Sequence, residues 1–262
     1  MRGSNSMGKK SSKCCICGES KKLSFEHIPP KSTGNSNPIK GYDIRYMLLN
    51  GRSNLKDTEG LSLHYKFNRG VGDYTLCKAC NEYMGSHYVE QYACFIQGFI
   101  RMLNSFENPI TSKTIITITE NKGVKALAFF KQVIAMFCSL TGDMADCKYF
   151  LLDKDSNDFN INKYRLCMVV VPNKDSNGWR TTTGWGTRYL FHDDNSGNVS
   201  QRFAAYLQYP VGFLLYRVDD SAKSYVGCDI TQLSQCKFDD TPNFGMNIPC
   251  IDVDTALPEF LN

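Results

Sequence analysis

Apolar positions along this chain change period twice. From Leu23 to His27 they alternate with polar ones and stop at Pro29-Pro30, the pattern of a short strand that meets a rigid turn. Residues 73–76 predict a second short strand. After it the period lengthens: Tyr88, Tyr92, Phe95, Ile96, Phe99, Leu103 and Phe106 recur at spacings of three and four, which predicts a helix with a buried aromatic face, ending at Asn108-Pro109. Between the two strands, residues 31–60 are rich in Gly, Ser, Asn and Lys and predict a long loop. One apolar piece at residues 42–49 would form a short helix or strand within it.

The second half shows another pattern. Ile115–Ile118 predicts a strand, and residues 124–140 predict a helix so apolar that it must be buried on most sides. Strand-like runs follow at 166–171, 188–191 and 212–218, divided by the turn-rich segments NKDSNGW and HDDNSGN. The fold class is therefore α+β, with a small N-terminal strand–strand–helix unit at 13–108 and a mixed α+β domain at 109–262. Residues 1–12 are a polar tail whose MRGS start looks like an expression-vector scar, with Met7 as the native start.

Composition adjusts this picture only a little. A hydrophobic content of 42% against 21% charged residues is that of a soluble globular chain, and a net charge of +4 is too small to establish a polyanion partner by itself. No window approaches a membrane span and no signal peptide is evident, so a cytoplasmic location is expected. In a reducing compartment the twelve cysteines are thiols, not disulfides. Cys94, Cys138, Cys147, Cys167, Cys228, Cys236 and Cys250 are scattered and are expected to be small core hydrophobes.

The remaining cysteines have metal-ligand spacing. Cys14 and Cys17 in KCCICG read as a zinc knuckle, two thiolates wrapped around one tetrahedral ion with Gly18 easing the turn, and Cys77 and Cys80 in TLCKACN supply a second pair. Cys15 has no partner at the right spacing and is spare. A zinc held by four thiolates has no open position, so its role would be structural. Glu26 and His27 stand inside this frame, and a carboxylate beside an imidazole is a pair suited to holding a cation and moving a proton.

In this order, CxxCG, a strand ending in EHIPPKS, and LCKACN opening a helix, the segment from Lys13 to Phe106 resembles the zinc-stapled branch of the HNH endonucleases, which are ββα-metal nucleases with a treble-clef-like unit. The resemblance implies that His27 is the general base, that Glu26 is one ligand of a single catalytic Mg2+ or Mn2+, and that Asn81, just after the last cysteine, is the other. Most relatives carry Asp where this chain has Glu26. The middle residue of the family pattern is open here: Asn68, Asp73 and the more distant Asn54 are candidates. His87 is either a further family-type histidine or an exposed helix residue. The implied partner is DNA, double-stranded, cut in restriction or anti-phage defence, with a homodimer, a defence partner protein or a signalling nucleotide as further expected partners. A non-catalytic zinc-stapled module that grips nucleic acid or protein is the alternative.

Two features of the second half stay open as well. Trp179, Arg180, Trp185, Arg188 and Arg202 form either a surface that reads DNA or senses a nucleotide, or ordinary packing. His192-Asp193-Asp194 reads as a polar turn.

Overall fold

The computed structural model describes residues 12–42, 46, 49–51, 59–62, 65–107, 110–119, 123–142, 144–172, 181–190, 199–218, 225–243 and 245–251, with the backbone alone at 12, 65, 181–190 and 199–202. Asn54, Asn108-Pro109, Trp179, Arg180 and residues 192–194, for which the sequence carries expectations, fall outside them, as does most of the piece at 42–49.

A short hairpin opens the described chain: β1 (Ser12–Lys13) pairs with β2 (Ser20–Lys21), Lys13 opposite Ser20, and the turn between them carries Cys14, Cys15 and Cys17. β3 (Leu23–His27) has the bounds expected from its alternation. A 3-10 turn follows at Lys31–Thr33, then β4 (Ile39–Gly41) and β5 (Tyr65–Phe67), which pair antiparallel and give the long insertion a stem. β6 (Gly72–Cys77) pairs antiparallel with β3, so that His27 faces Gly72 and Glu26 faces Asp73. The ladder slips by one residue between Ser24 and Phe25, which leaves Thr75 without a strand partner. The slip is used: the Thr75 carbonyl accepts the Cys15 N–H at 3.0 Å and ties the cysteine turn to the ladder.

The aromatic helix divides in two. α1 (Lys78–His87) ends at Tyr88, whose backbone leaves helical geometry, and α2 (Val89–Asn104) continues from it. The side-chain period runs through the break because Tyr88 N–H still bonds Met84 O and Tyr88 O still accepts from Tyr92 N–H, so Met84, Tyr88, Tyr92, Phe95, Ile96, Phe99 and Leu103 all reach the core. Phe106 does not. The helix stops before it, and its ring is 47% exposed.

β7 (Ile115–Ile118) leads to α3 (Ala126–Thr141), which is buried all round apart from its last turn. Its position explains why its sequence is apolar on every side. Phe129 stacks between Phe95 of α2, at 4.4 Å, and Phe213, at 6.0 Å, so α3 is sandwiched between α2 and a sheet. One core runs without interruption from Cys14 to Cys250. After α4 (Lys148–Leu152) come β8 (Tyr164–Val170), β9 (Thr181–Leu190), β10 (Val199–Gln208), β11 (Val211–Arg217) and β12 (Cys228–Asp229), in an antiparallel sheet of order β12-β8-β11-β10-β9. β13 (Met246–Pro249) returns to pair with β7.

β8 and β11 have buried residues on both faces, which accounts for their continuous apolar runs. β9 is longer than expected and β10 was not expected at all. Arg202, Trp185 and Arg188 lie on these two strands. Among the scattered cysteines, Cys138, Cys147, Cys167 and Cys250 are buried and Cys228 and Cys236 partly so, whereas Cys94 is exposed on α2. Among the described residues, no helix is long and apolar enough to cross a membrane.

A lysine lies in the core. Lys131, fully buried on α3, donates to the carbonyls of Asp153 at 2.6 Å and Lys154 at 3.1 Å, just beyond the end of α4, and sits 4.5 Å from the centre of the Phe150 ring. Burial pulls its pKa from 10.5 down to about 8. The unfolded chain therefore binds this proton more tightly than the folded one, and folding should gain stability as pH rises from about 8 to 10.5. Lys131→Met should remove that gain. Urea midpoints of the two proteins across this window, compared as a difference, check it.

Candidate functional site

The two cysteine pairs converge. The thiol sulfurs of Cys14, Cys17, Cys77 and Cys80 all lie within 4.8 Å of one another, and Cys17 Sγ is 3.9 Å from Cys77 Sγ. Two local structures bring them there. In the β1–β2 turn, Gly18 adopts φ +75° and its N–H bonds the Cys14 carbonyl at 2.9 Å, which folds Cys14 and Cys17 to one side. At the other end, Cys77 is the N-cap of α1 and Cys80 sits in its first turn, where the free N–H groups and positive helix end favour thiolates.

Burial and mutual proximity act differently on these thiols. Burial would push the Cys14 thiol up, but hydrogen bonds from the backbone at Cys77, Cys17 and Ile16 outweigh it and hold its pKa at about 7. Burial, together with the neighbouring sulfurs, raises Cys80, and burial raises Cys17. Four thiolates packed this closely repel one another unless a cation sits among them, so the cluster can hold a structural metal ion. Cys15 is not part of it; its thiol is pushed up by burial and by Cys14.

β3 crosses this cluster and sorts its side chains by alternation. Ser24 and Glu26 point to one side, and Ser24 identifies that side: its Oγ accepts from Asn81 Nδ2 at 3.1 Å, so the side faces α1. Asn81 Nδ2 also donates to the Phe25 carbonyl at 3.1 Å. Its amide is thereby fixed beside Glu26, with the carbonyl oxygen left unbonded among the described residues. Glu26 is buried, and burial lifts its pKa to about 7. Its carboxylate has no hydrogen-bond or ion-pair partner among the described residues. A buried carboxylate without a partner is costly, and carboxylate and amide oxygens are donor types that suit a hard divalent cation.

His27 ends the same strand on the opposite side. Its ring lies 5.0 Å from Phe25, edge to face, and its Nε2 is 2.9 Å from the Arg69 carbonyl. A carbonyl only accepts, so Nε2 carries the hydrogen of this bond. In the neutral ring, Nδ1 is then left with a free lone pair.

The loop that presents the Arg69 carbonyl is held by a residue not singled out from the sequence. Asn35, 2% exposed, donates from Nδ2 to the carbonyls of Pro29 and Val71 and accepts the Val71 N–H on Oδ1, each at 2.7 Å. Its side chain clamps the start of the long insertion to its end. Two glycines make room for the clamp. Gly70 has φ +85°, and a Cβ there would lie 2.4 Å from the Asn35 carbonyl oxygen; a Cβ at Gly72 would lie 2.0 Å from the Glu26 carbonyl oxygen. The NRGVG segment is therefore the receiving half of the clamp. In the sequence the only hint was this pair of glycines directly before the second strand.

The other candidates fall elsewhere. Asn68 sits in the turn, bridged to Gly70; Asp73 faces Glu26 across the ladder and its Oδ1 accepts the Tyr74 N–H. His87, half-buried at the far end of α1 from Asn81, is stacked on Tyr83 at 4.2 Å with Nδ1 2.9 Å from the Tyr83 carbonyl.

Two outcomes check this geometry. Elemental analysis should find one metal ion per chain, lowered in Cys17→Ser, and chelation should speed amide exchange across residues 72–80 more than in β8 and β11. Asn35→Ala should cost about 2–4 kcal/mol in chemical denaturation, because it leaves Pro29 O, Val71 O and Val71 N–H unbonded in a buried turn. Comparison with known proteins finds no matching family model, no matching curated protein and no matching solved structure.

Proposed function

We propose that this protein is a metal-dependent endonuclease of the HNH kind that hydrolyses DNA phosphodiesters, with zinc in the four-thiol cluster and Mg2+ or Mn2+ held by Glu26 and Asn81. The observation that carries the proposal is β3 itself: a partnerless buried carboxylate on the side where α1 anchors the Asn81 amide, and a histidine with an oriented free nitrogen at the strand end. Tetrahedral Zn–S bonds of about 2.3 Å place sulfurs roughly 3.8 Å apart, close to the 3.9 Å between Cys17 and Cys77. A catalytic cation, when bound, neutralises charge that builds on the phosphate and the leaving oxygen.

The protein's own groups supply the rest. His27 Nδ1 takes a proton from a water molecule as that water attacks phosphorus, while the Arg69 carbonyl keeps the ring from turning and stabilises the imidazolium that forms. Asn81, anchored to Ser24 Oγ and Phe25 O, needs no reorganisation to present its oxygen. Asn35 holds the turn that holds His27 and touches no reacting atom. The segment after α2 supplies target choice, contact between two copies, or a docking place for a defence partner or signalling nucleotide. The twelve free thiols suit a reducing, cytoplasmic setting.

The test is cutting of supercoiled plasmid and of single-stranded circular DNA with Mg2+ or Mn2+. His27→Ala should lower the rate by about 10²–10⁴-fold, and Asn81→Ala should raise the cation concentration needed for half-maximal rate. If the wild-type chain, full of zinc, binds DNA yet never cuts it with either cation, with or without added signalling nucleotides, it is a non-catalytic binding module.

A further inference from the structure

We propose that the face of β3 and β6 bearing Phe25, His27 and Tyr74 stacks an unpaired base, so that the strand to be cut enters as single-stranded DNA and not as intact duplex. The inference rests on the nuclease reading of His27 and adds the form of the substrate.

Three rings form a row that leads from solvent to the histidine. Tyr74 lies opposite Phe25 in the ladder, with ring centres 5.5 Å apart, and Phe25 lies 5.0 Å from His27, both contacts edge to face. Tyr74 is 62% exposed, in the outer half of a strand whose last two residues, Leu76 and Cys77, are buried. Its hydroxyl has no partner among the described residues. Packing therefore does not account for this ring: its only ring contact is the edge of Phe25, and the remainder faces water. Opposite His27 stands Gly72, over which the Phe25 ring closes, since a Cβ there would come within 2.9 Å of it. The position across from the histidine thus carries no side chain of its own and is covered by the Phe25 ring.

Charge next to this face favours a nucleic-acid strand over a hydrophobic peptide. Arg69, whose carbonyl holds His27, is exposed and its guanidinium has no partner among the described residues. The nearest anion in the ladder, Asp73, pairs with Glu26 and so follows it to the opposite side. A cationic residue whose backbone touches His27 suits an anionic strand, and Tyr74 lies two ladder positions along from the histidine.

Duplex geometry does not fit the row. In a stacked helix both faces of every base are covered by neighbours, so a ring placed at the backbone finds no base face to meet. An unpaired base exposes its face, and ring stacking on it depends little on which base it is.

The experiment measures binding and cutting separately on the full chain. Binding of a fluorescent oligo(dT), and of a hairpin duplex of matched length, is followed by anisotropy without added divalent cation. The wild type should bind oligo(dT) more tightly than the duplex. Tyr74→Ala should weaken oligo(dT) binding by about 5-fold or more and leave duplex binding and zinc content unchanged, whereas Tyr74→Phe should bind like wild type. Stronger binding of duplex than of oligo(dT), or an unchanged oligo(dT) affinity in Tyr74→Ala, overturns the inference while leaving the nuclease reading in place. Cutting of both DNAs with Mg2+ is then scored: an intact single-strand preference without any cutting overturns the nuclease reading alone.

Discussion

Convergence of Cys14 and Cys17 with Cys77 and Cys80 is the constraint on which the candidate site depends. These pairs are separated by the whole of β3, the long insertion and β6, yet their sulfurs share one small volume. A two-stranded ladder and a single helix cannot bury enough apolar area to hold their own geometry. Joining the turn before β3 to the first turn of α1 fixes both ends of the ladder at once. It also sets the distance from β3 to α1, across which Asn81 must reach Ser24 and the Phe25 carbonyl. The bulge at Thr75 belongs to the same device, since its free carbonyl receives the Cys15 N–H.

A second brace acts at the other end of β3. The chain leaves the strand at His27, makes a long excursion and returns at Val71, and such an excursion would let the histidine drift. Asn35 prevents this with three short bonds that join the way out to the way back. The result is that the two chemical sides of β3 are held independently: Glu26 and Asn81 through the thiols and α1, and His27 through the turn. That independence allows the insertion between residues 42 and 64 to vary without disturbing either side.

The unit also leans on the rest of the chain. Tyr88 Oη donates to the Leu151 carbonyl, Tyr83 Oη accepts the Lys154 N–H, and Lys131 closes on the next carbonyls of the same segment. Together with the stack of Phe95 and Phe129, these contacts seat α1 and α2 on α3 and, through Phe213, on the sheet. The apolar core crosses from the first half into the second without a gap.

What the sequence alone determined were features set by local periodicity or by ligand spacing. The bounds of β3, the strand at Ile115–Ile118, the buried α3 and the four-thiol set are all of this kind, because alternation, the 3.6-residue period and the CxxC turn each act over a few residues. The break at Tyr88 was not legible, since the side-chain period passes straight through it. Nor was β10, in which Ala204 and Ala205 face opposite cores and blur the alternation. The tertiary structure alone decided which residue steadies the turn behind His27. Asn35 is one of many asparagines in a polar loop, and nothing near it in sequence reveals that its partners are Pro29 and Val71. Only the closed insertion brings those groups within bonding distance, and only then do Gly70 and Gly72 acquire their reason.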